Sequence, residues 1–187
     1  ADFRPISVTS ILPRMTEKMI VKKIIIKAIV NSDKLKDQFA FRPSGSTTSA
    51  IIATLKEAIN ILEQSKYVRL IQLDFSKAFD TVRHQTLFFK LAAMNIKAEI
   101  YNWTHNFFLQ HQQCTQFKGE LSSQSSVNCG VIQGSALGPI MFSILASDLH
   151  PRCAGTRLVK YADDTNLIIT PQNIQRTVEE LDGVVYS

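Results

Sequence analysis

The sequence has few cysteines, no long apolar run and no repeated segments. Its three cysteines, Cys114, Cys129 and Cys153, are odd in number and contain no C-x-x-C pair. This spacing argues against a disulfide framework or a zinc site and favours free thiols in a reducing compartment. No signal peptide is recognisable in this sequence and no apolar stretch is long enough to span a bilayer, so we expect no membrane partner.

The composition is that of a globular chain with a modest basic excess. Of the 187 residues, 45% are hydrophobic and 20% charged, which is enough for a core in one or two domains. Lys and Arg number 21 against 16 Asp and Glu, giving a net charge of +5. That excess permits a polyanionic partner without demonstrating one. The chain begins abruptly within sequence typical of structured protein, so we expect it to be part of a larger polypeptide.

Residues 158–169 are the most informative stretch. Two runs rich in Val, Ile and Leu flank a short polar step, which predicts a β-hairpin with Asp163 and Asp164 at its tip. Neighbouring strand residues point to opposite faces, so both acids reach one metal ion only if the turn rotates one of them. A divalent cation would offset their mutual repulsion. An acidic turn without a ligand fits the pattern as well, because Asp is a common turn residue.

Two other segments carry residues suited to chemistry. A predicted strand over residues 68–75 ends its apolar run at Asp74, and an acid at the carboxyl end of a strand can project into a cleft. Residues 130–139 form a Gly-rich turn before an apolar helix. Its glycines let the backbone approach a ligand closely, and Gln133 offers both a donor and an acceptor.

The first part of the chain predicts a helix with one apolar and one basic side. Thr9 or Ser10 is expected to cap it. The apolar side consists of Ile11, Leu12, Met15, Met19 and Ile20, and the basic side of Arg14, Lys18, Lys22, Lys23 and Lys27, opposed only by Glu17. The basic side suits solvent or a nucleic-acid backbone, and the pattern leaves both open. A loop over residues 39–48, with Arg42 among aromatics and hydroxyls, suits base stacking and phosphate contacts. It also suits the start of a helix over residues 49–64 capped by Thr47 or Thr48.

Further amphipathic helices are predicted over residues 84–110, as a pair, and over 173–183. Short strands are expected near residues 116–117 and 127–128. In the helix pair we expect the following residues to be buried: Leu87, Leu91, Met94, Ile100, Trp103 and Phe107.

Five blocks, in this order, resemble the reverse-transcriptase domain of non-LTR retrotransposons, particularly the jockey and chicken-repeat-like lineages. The blocks are FRPIS at 3–7, FAFRP at 39–43, LDFSKAFD at 73–80, GVIQGSALGP at 130–139 and YADD at 161–164. Together they cover nearly the whole chain. The sequence departs from the family at Ile132, where a proline usually precedes the glutamine, and this leaves Gln133 itself in place.

The resemblance implies an α+β fold, comprising the fingers and palm of a right-hand polymerase. A small antiparallel palm sheet would carry the acids, with helices packed behind it. Residues 1–67 would form part of the fingers, and residues 68–187 the palm with an interleaved fingers segment. The thumb, and a basic fingers strand that the family places before Arg4, are expected to be missing from this sequence.

The resemblance also implies RNA-directed DNA polymerase activity, in which deoxynucleotides are added to a primer 3′-hydroxyl with the help of two metal ions. It assigns catalysis and metal binding to Asp74, Asp163 and Asp164, with the carbonyl of Phe75 as a further ligand. The implied cofactor is Mg²⁺, two ions, for which Mn²⁺ can substitute.

Roles in nucleotide binding follow from the same blocks. Phe79 would act as a steric gate against a ribose 2′-hydroxyl, although a core aromatic is its simpler role. Gln133 and Gly134 would contact the incoming nucleotide, and Arg4 would pair with its triphosphate through a planar guanidinium. Lys77 would lie near the triphosphate through its backbone N–H. Asp80 could belong to the nucleotide site or cap a helix, and the resemblance leaves both roles open. Arg42, Lys22 and Lys23 would contact nucleic acid.

The implied partners are an RNA template, a DNA primer and deoxynucleoside triphosphates, in the nucleus and cytoplasm. The sequence leaves the oligomeric state open. A group II intron maturase shares this core and is one alternative. An RNA-dependent RNA polymerase usually has glycine before its paired acids and lacks a gate such as Phe79. A non-catalytic RNA-binding derivative is a third alternative, against which the intact acids argue.

Overall fold

The computed structural model describes residues 7–29, 33–94 and 96–185. The chain divides into two compact units. One contains residues 7–29 and 77–145, and we call it the helical unit. The other contains residues 33–76 and 146–185, and we call it the sheet unit.

The sheet unit is built on a three-stranded antiparallel sheet. Its strands are β1 (Arg69–Leu73), β6 (Arg157–Tyr161) and β7 (Asp164–Ile169), in the order β1-β7-β6. The hairpin predicted from residues 158–169 is therefore present, and its second strand is central. Ile168 and Ile169 are fully buried in that strand, which explains why its apolar run is continuous rather than alternating.

Helix α3 (Thr47–Leu62) packs on one face of this sheet. Ala50 on the helix forms a buried cluster with Val159 and Ile168. The helix begins two residues earlier than the sequence predicts, because Ser46, not Thr47 or Thr48, is the N-cap and its hydroxyl accepts the Ser49 N–H at 3.0 Å.

The opposite face of β6 buries a lysine, which the sequence pattern does not indicate. Lys160 is 1% exposed. Its Nζ donates to the backbone carbonyls of Ala146 and Leu149 at 2.9 and 3.1 Å. These two acceptors lie on and beside the short 3₁₀ helix Ala146–Asp148, so the lysine ties that segment to the sheet. A buried ammonium is stable only when such partners replace water.

Helix α7 (Thr177–Val185), preceded by the 3₁₀ helix Pro171–Arg176, completes the sheet unit. Its Glu180 is fully buried, and its two carboxylate oxygens accept the backbone N–H groups of Arg152 and Cys153, each at 2.8 Å. Burial acts to raise the pKa of this carboxyl, but the hydrogen bonds outweigh it and hold the pKa below its ordinary value. The ionised Glu180 side chain thus holds the loop before β6 through two hydrogen bonds.

The helical unit contains the two helices predicted over residues 84–110. These are α4 (His84–Ala92) and α5 (Ala98–Leu109), with α6 (Leu137–Leu145) packed against α4. Leu87 and Leu91 are buried as predicted. On α5 the prediction is one residue out of phase: Thr104 and Phe108 are buried, while Trp103 and Phe107 are half-buried. Apolar residues occupy a broad part of the surface of α5, so the sequence pattern does not show which of them face the core.

The apolar side of the first helix is largely exposed. Helix α1 (Ile11–Ile20) continues through a π-helical turn, Val21–Ile25, into α2 (Ile26–Ile29), and Ser10 is the α1 N-cap without a side-chain bond. Four residues of that side, Ile11, Leu12, Met15 and Met19, are 74%, 77%, 62% and 55% accessible. The lysines of the basic side are exposed as well.

The fully buried residue of α1 is instead Glu17. Its Oε2 accepts the Ala136 N–H at 3.2 Å, just before α6. Burial raises the pKa of Glu17, and bonds from the backbone N–H groups of Ala136 and Leu137 oppose that rise only in part. The Glu17 carboxylate thus lies against the backbone just before α6.

Between α5 and α6 lie two small antiparallel pairs. Strand β2 (Gln112–Gln113) pairs with β5 (Ser125–Ser126), and β3 (Gln116–Phe117) pairs with β4 (Glu120–Leu121). The strand expected near residues 116–117 is present as β3, and the one expected near residues 127–128 lies two residues earlier, as β5. Within the described ranges, no helix is long and apolar enough to cross a membrane.

Candidate active site

The predicted catalytic acids lie at one end of the three-stranded sheet. Strand β1 ends at Leu73, which pairs with Thr165 on β7. Asp74 is the next residue of the chain after β1, and Asp164 is the first residue of β7. The register therefore brings Asp74 to the end of the sheet where the turn carrying Asp163 and Asp164 lies.

The turn between β6 and β7 has an unusual backbone. Tyr161 pairs with Asp164, so Ala162 and Asp163 form a two-residue hairpin turn. Ala162 has φ of 57°, in the left-handed region that suits hairpin turns but is unfavourable for a residue with a Cβ atom. Backbone strain of this kind persists only where surrounding contacts hold it.

The three acids differ in exposure. Asp74 and Asp164 are exposed and Asp163 is half-buried. In the part of the chain that the structure describes, no group of three or more His, Cys, Asp or Glu is arranged to hold a metal ion. The register and the oxygen chemistry fit a hard divalent cation such as Mg²⁺. The convergence of all three carboxylates stays a prediction.

Lys77, Phe79, Gln133 and Gly134, which are predicted to bind the nucleotide, lie in the helical unit on two chain segments that are bonded together. The Val131 N–H donates to the Phe79 carbonyl at 2.7 Å, and the Gly130 N–H donates to the Val82 carbonyl at 2.8 Å. At Gly130, where φ is 85°, a Cβ atom would lie 2.9 Å from the Asp80 carbonyl oxygen. Only glycine allows the two segments to approach this closely.

Phe79, the predicted steric gate, is half-buried and packs on a second ring. Its ring centroid lies 5.0 Å from that of Phe142, with 23° between the planes. Phe142 is buried on α6. Phe79 therefore packs against the core of its unit and is only partly buried, which is compatible with both the steric gate and the core aromatic.

Gln133 makes a directional contact with Asp80. Its Nε2 donates to Asp80 Oδ1 at 2.8 Å. Asp80 does not cap the following helix, since the N-cap of α4 is Arg83. A carboxylate only accepts hydrogen bonds, so it fixes the amide nitrogen of Gln133 toward itself and leaves Oε1 for another partner.

Gly134, beside Gln133, is also required by the geometry. Its φ is 100°, and a Cβ atom there would lie 3.1 Å from the Ser7 carbonyl oxygen. Ser7 in turn donates its N–H to the Gln133 carbonyl at 3.1 Å. The backbone around Gln133 is thus fixed from both sides.

A cavity of about 260 Å³ lies next to this pair, within the helical unit. Asp80 and Gln133 line it together with His111 and Cys129. Burial lowers the pKa of His111, which favours its neutral form. The cavity therefore offers hydrogen-bonding groups of mixed type beside the oriented amide.

The cationic residues predicted to contact nucleotide or nucleic acid differ in exposure and in hydrogen bonding. Lys22 and Lys23 are exposed on the π-helical turn. Lys77 is exposed and has φ of 54°, and its carbonyl accepts the Asp80 N–H at 2.8 Å. Arg42 directs Nη1 to the carbonyls of Leu35, Lys36 and Gln38, at 3.2 to 3.4 Å, so it holds its own loop together. Arg4 lies outside the described residues.

One residue near the acids was missed by the sequence analysis. Gln38, directly before the FAFRP block, is 2% exposed and contacts the hairpin turn at Ala162. The only signal was a glutamine next to a recognisable block. Its partner is 124 residues away, which no local pattern reveals.

The described residues thus include a three-stranded sheet that ends in acids and a Gly-rich turn that carries a glutamine. Both features are typical of one class of nucleic-acid polymerases. Residues 1–184 match the family described as reverse transcriptase (RNA-dependent DNA polymerase). The chain belongs to this family.

The relatives it resembles come from mobile elements of insects. It is 30% identical over 170 residues to the RNA-directed DNA polymerase from mobile element jockey of Drosophila funebris, covering 87% of this chain and 18% of the relative. It is 27% identical over 178 residues to a probable RNA-directed DNA polymerase from transposon BS of Drosophila melanogaster, covering 89% and 19%. The chain thus spans about a fifth of the length of these relatives.

Solved structures show the same fold. A telomerase from Candida tropicalis, in complex with the TWJ fragment of telomeric RNA, superposes with a TM-score of 0.67 at 15% identity, covering 91% of this chain and 30% of the telomerase. A telomerase from Candida albicans gives the same TM-score at 14% identity, covering 88% and 32%. The predicted family and fold class are confirmed. The roles of individual residues and the division into fingers and palm stay predictions.

Proposed function

We propose that this chain carries the nucleotidyl-transfer centre of an RNA-directed DNA polymerase of a non-LTR retrotransposon. The observation that carries the proposal is the strand register at Leu73 and Thr165, which brings Asp74 to the hairpin turn with Asp163 and Asp164. Membership of the reverse transcriptase family supports the same reading. The names of the relatives, polymerases of the jockey and BS elements, support the retrotransposon origin.

The proposed cofactor is a pair of Mg²⁺ ions, held by Asp74, Asp163 and Asp164 with the Phe75 carbonyl as a further oxygen ligand. When bound, such a pair favours ionisation of an attacking hydroxyl and stabilises a pyrophosphate leaving group. The chain itself contributes the positions of the three acids. Two of the acids lie in or beside a turn held by long-range bonds, and the third follows the strand paired with β7.

The proposed ligand of the helical unit is a deoxynucleoside triphosphate. Phe79, fixed against Phe142, would exclude a sugar that carries a 2′-hydroxyl. Gln133 would offer its free amide oxygen, and Gly134 would allow close approach. Lys77 and Arg4 would balance the negative charge of the triphosphate.

The proposed macromolecular partners are an RNA template and a DNA primer. Lys22 and Lys23 are exposed cations on one helical turn and suit phosphate contacts. Arg42 would act mainly by shaping its loop, since its Nη1 is bonded to three carbonyls. In this proposal residues 1–67 belong to the fingers, and residues 68–187 to the palm with an interleaved fingers segment.

Asp163→Asn tests the proposal directly, in a polypeptide that carries this chain with its flanking coding sequence. Primer extension on an RNA template should fall roughly 1,000-fold, the loss expected when metal-ion catalysis is removed. Thermal unfolding should change little, because Asn preserves the shape of the turn. Asp182→Asn, an exposed acid on α7, is the matched control and should keep full activity.

Two results would contradict the proposal. Extension by Asp163→Asn at the unsubstituted rate would remove the acid from the mechanism. Binding of the RNA template without any extension, by the unsubstituted polypeptide with Mg²⁺ or Mn²⁺ present, would identify a non-catalytic RNA-binding derivative instead.

A further inference from the structure

The side chain of Gln38 is bonded to the turn that carries the paired acids. It is 2% exposed. Its Oε1 accepts the Ala162 N–H at 3.0 Å, and its Nε2 donates to the Ala162 carbonyl at 3.3 Å. Oε1 also accepts the Ala40 N–H at 2.9 Å. The primary amide thus pairs with both backbone groups of one residue, as a neighbouring strand would.

The backbone on both sides of Gln38 is itself fixed to the hairpin. The Phe39 N–H donates to the Lys160 carbonyl at 2.8 Å, and the Lys160 N–H donates to the Asp37 carbonyl at 2.8 Å. These bonds form a parallel bridge between Gln38 and Lys160 beside β6. Gln38 therefore has little freedom to move away from the turn, and its contact is part of a built structure.

Ala162 is the residue at which such a contact has most effect. It precedes both acids and has φ of 57°, a conformation that a residue with a Cβ atom adopts only when other contacts hold it. The two carboxylates that follow repel each other when no cation is bound, which acts to open the turn. Hydrogen bonds to both backbone groups of Ala162 oppose that movement.

We infer that Gln38 is a positioning residue for the acidic turn: by holding Ala162, it sets the directions of Asp163 and Asp164 and thereby their affinity for a divalent cation. The inference rests on the proposed function, in which these two acids are metal ligands. Partners that orient metal ligands typically change metal affinity by roughly 10- to 100-fold when they are removed.

Gln38→Met tests this inference, because methionine has a similar length and cannot form the hydrogen bonds. Two quantities are measured on the full chain: Mn²⁺ affinity by electron paramagnetic resonance, and hydrogen exchange of the Ala162 amide. We expect Mn²⁺ affinity to fall at least about 10-fold and the amide to exchange faster. Gln72→Met is the matched control, since Gln72 is exposed on β1 of the same sheet, and neither quantity should change.

The outcomes separate this inference from the proposed function. If Asp163→Asn leaves Mn²⁺ affinity unchanged, the metal assignment fails. If Asp163→Asn weakens Mn²⁺ binding and folded Gln38→Met does not, Gln38 is only structural and the inference is overturned. A lower melting temperature alone would not support it.

A second background keeps the test decisive if Gln38→Met does not fold. Ala162→Gly removes the Cβ penalty at positive φ and should favour the turn. Gln38→Met is then compared with its parent in that background. An equal Mn²⁺ affinity of the two proteins would overturn the inference, and a fall of about 10-fold would support it.

Discussion

Leu73 and Thr165 are opposite partners in the antiparallel ladder between β1 and β7. Asp74 follows the first of them along the chain, and Asp164 precedes the second. A shift of one residue in this register would turn every side chain of β1 to the other face and move Asp74 along the sheet. The placement of the acids therefore depends on the register of the whole sheet. Substitutions of the site residues themselves can be distinguished from substitutions of the buried residues that hold this register.

Replacing Phe79 tests sugar selection. Phe79→Ala should increase the use of ribonucleotides relative to deoxynucleotides by roughly 10-fold or more, because the ring no longer excludes the 2′-hydroxyl. Since Phe79 stacks on Phe142, the change should also cost up to about 3 kcal/mol of stability. Single-nucleotide incorporation and thermal unfolding measure the two effects.

Phe89→Ala makes the same change on an exposed ring of the helical unit, where Phe89 is 79% accessible, and should alter neither quantity. Unchanged sugar discrimination in folded Phe79→Ala would leave Phe79 as a core aromatic only.

Replacing Asp80 tests the orientation of the Gln133 amide. Asp80→Asn lets either end of that amide face residue 80, so Oε1 is no longer held toward the ligand. We expect the KM for deoxynucleoside triphosphates to rise about 10-fold, as for loss of a hydrogen bond to a charged group, with a much smaller change in kcat. Steady-state primer extension measures both, and Glu120→Gln, exposed in the same unit, is the control.

A swapped pair distinguishes orientation from stability. Asp80→Asn combined with Gln133→Glu restores a hydrogen bond with donor and acceptor exchanged. It should recover the melting temperature but not the KM. Recovery of both would mean that the bond between residues 80 and 133 is structural and does not orient a group for the nucleotide.

Glu180 should make the sheet unit sensitive to acid. Its pKa is below the ordinary value of 4.5 in the folded chain, so its contribution to stability is present above pH 4.5 and is lost as the pH falls below it. Glu180→Gln places an amide NH₂ against a backbone N–H and should cost about 1–3 kcal/mol at pH 7. The difference from the unsubstituted chain should shrink below pH 4.5, as measured by denaturant unfolding at several pH values.

The neighbouring Glu179 provides the control. It is exposed and forms a surface salt bridge with Arg176 at 2.8 Å, so Glu179→Gln should change the free energy of unfolding by at most about 1 kcal/mol. If Glu180→Gln were as mild at pH 7, the buried carboxylate would not be holding the loop at Arg152 and Cys153.

The isolated 187-residue chain should be a poor polymerase although it contains all three acids. It spans 18% of the jockey polymerase of Drosophila funebris, so most of the residues that could hold a primer and a template in such a polypeptide lie outside the matched region. Positioning of reactants can contribute roughly 7–11 kcal/mol to catalysis, so we expect weak, salt-sensitive binding and little extension. Primer extension by the chain and by a polypeptide with flanking sequence, at equal concentration, makes the comparison. Efficient synthesis by the chain alone would contradict it.

The sequence by itself determined the elements whose signals are local. The hairpin over residues 158–169, the strand before Asp74 and the helix pair over residues 84–110 are present as predicted, because apolar periodicity and turn residues act within a few positions. The five ordered blocks were enough to predict the family and fold class.

Only the tertiary structure decided which surfaces are buried and which polar groups hold the site. On α1, Glu17 is buried and its carboxylate accepts the Ala136 N–H, while the apolar Met15 is exposed. Gln38 is tied to Ala162 and Glu180 to Cys153 across 124 and 27 residues. Such contacts depend on which segments the fold brings together, and a pattern read along the chain contains no information on that. The physical reason is that a buried polar group is stable only beside a partner, and here the partner is distant in sequence.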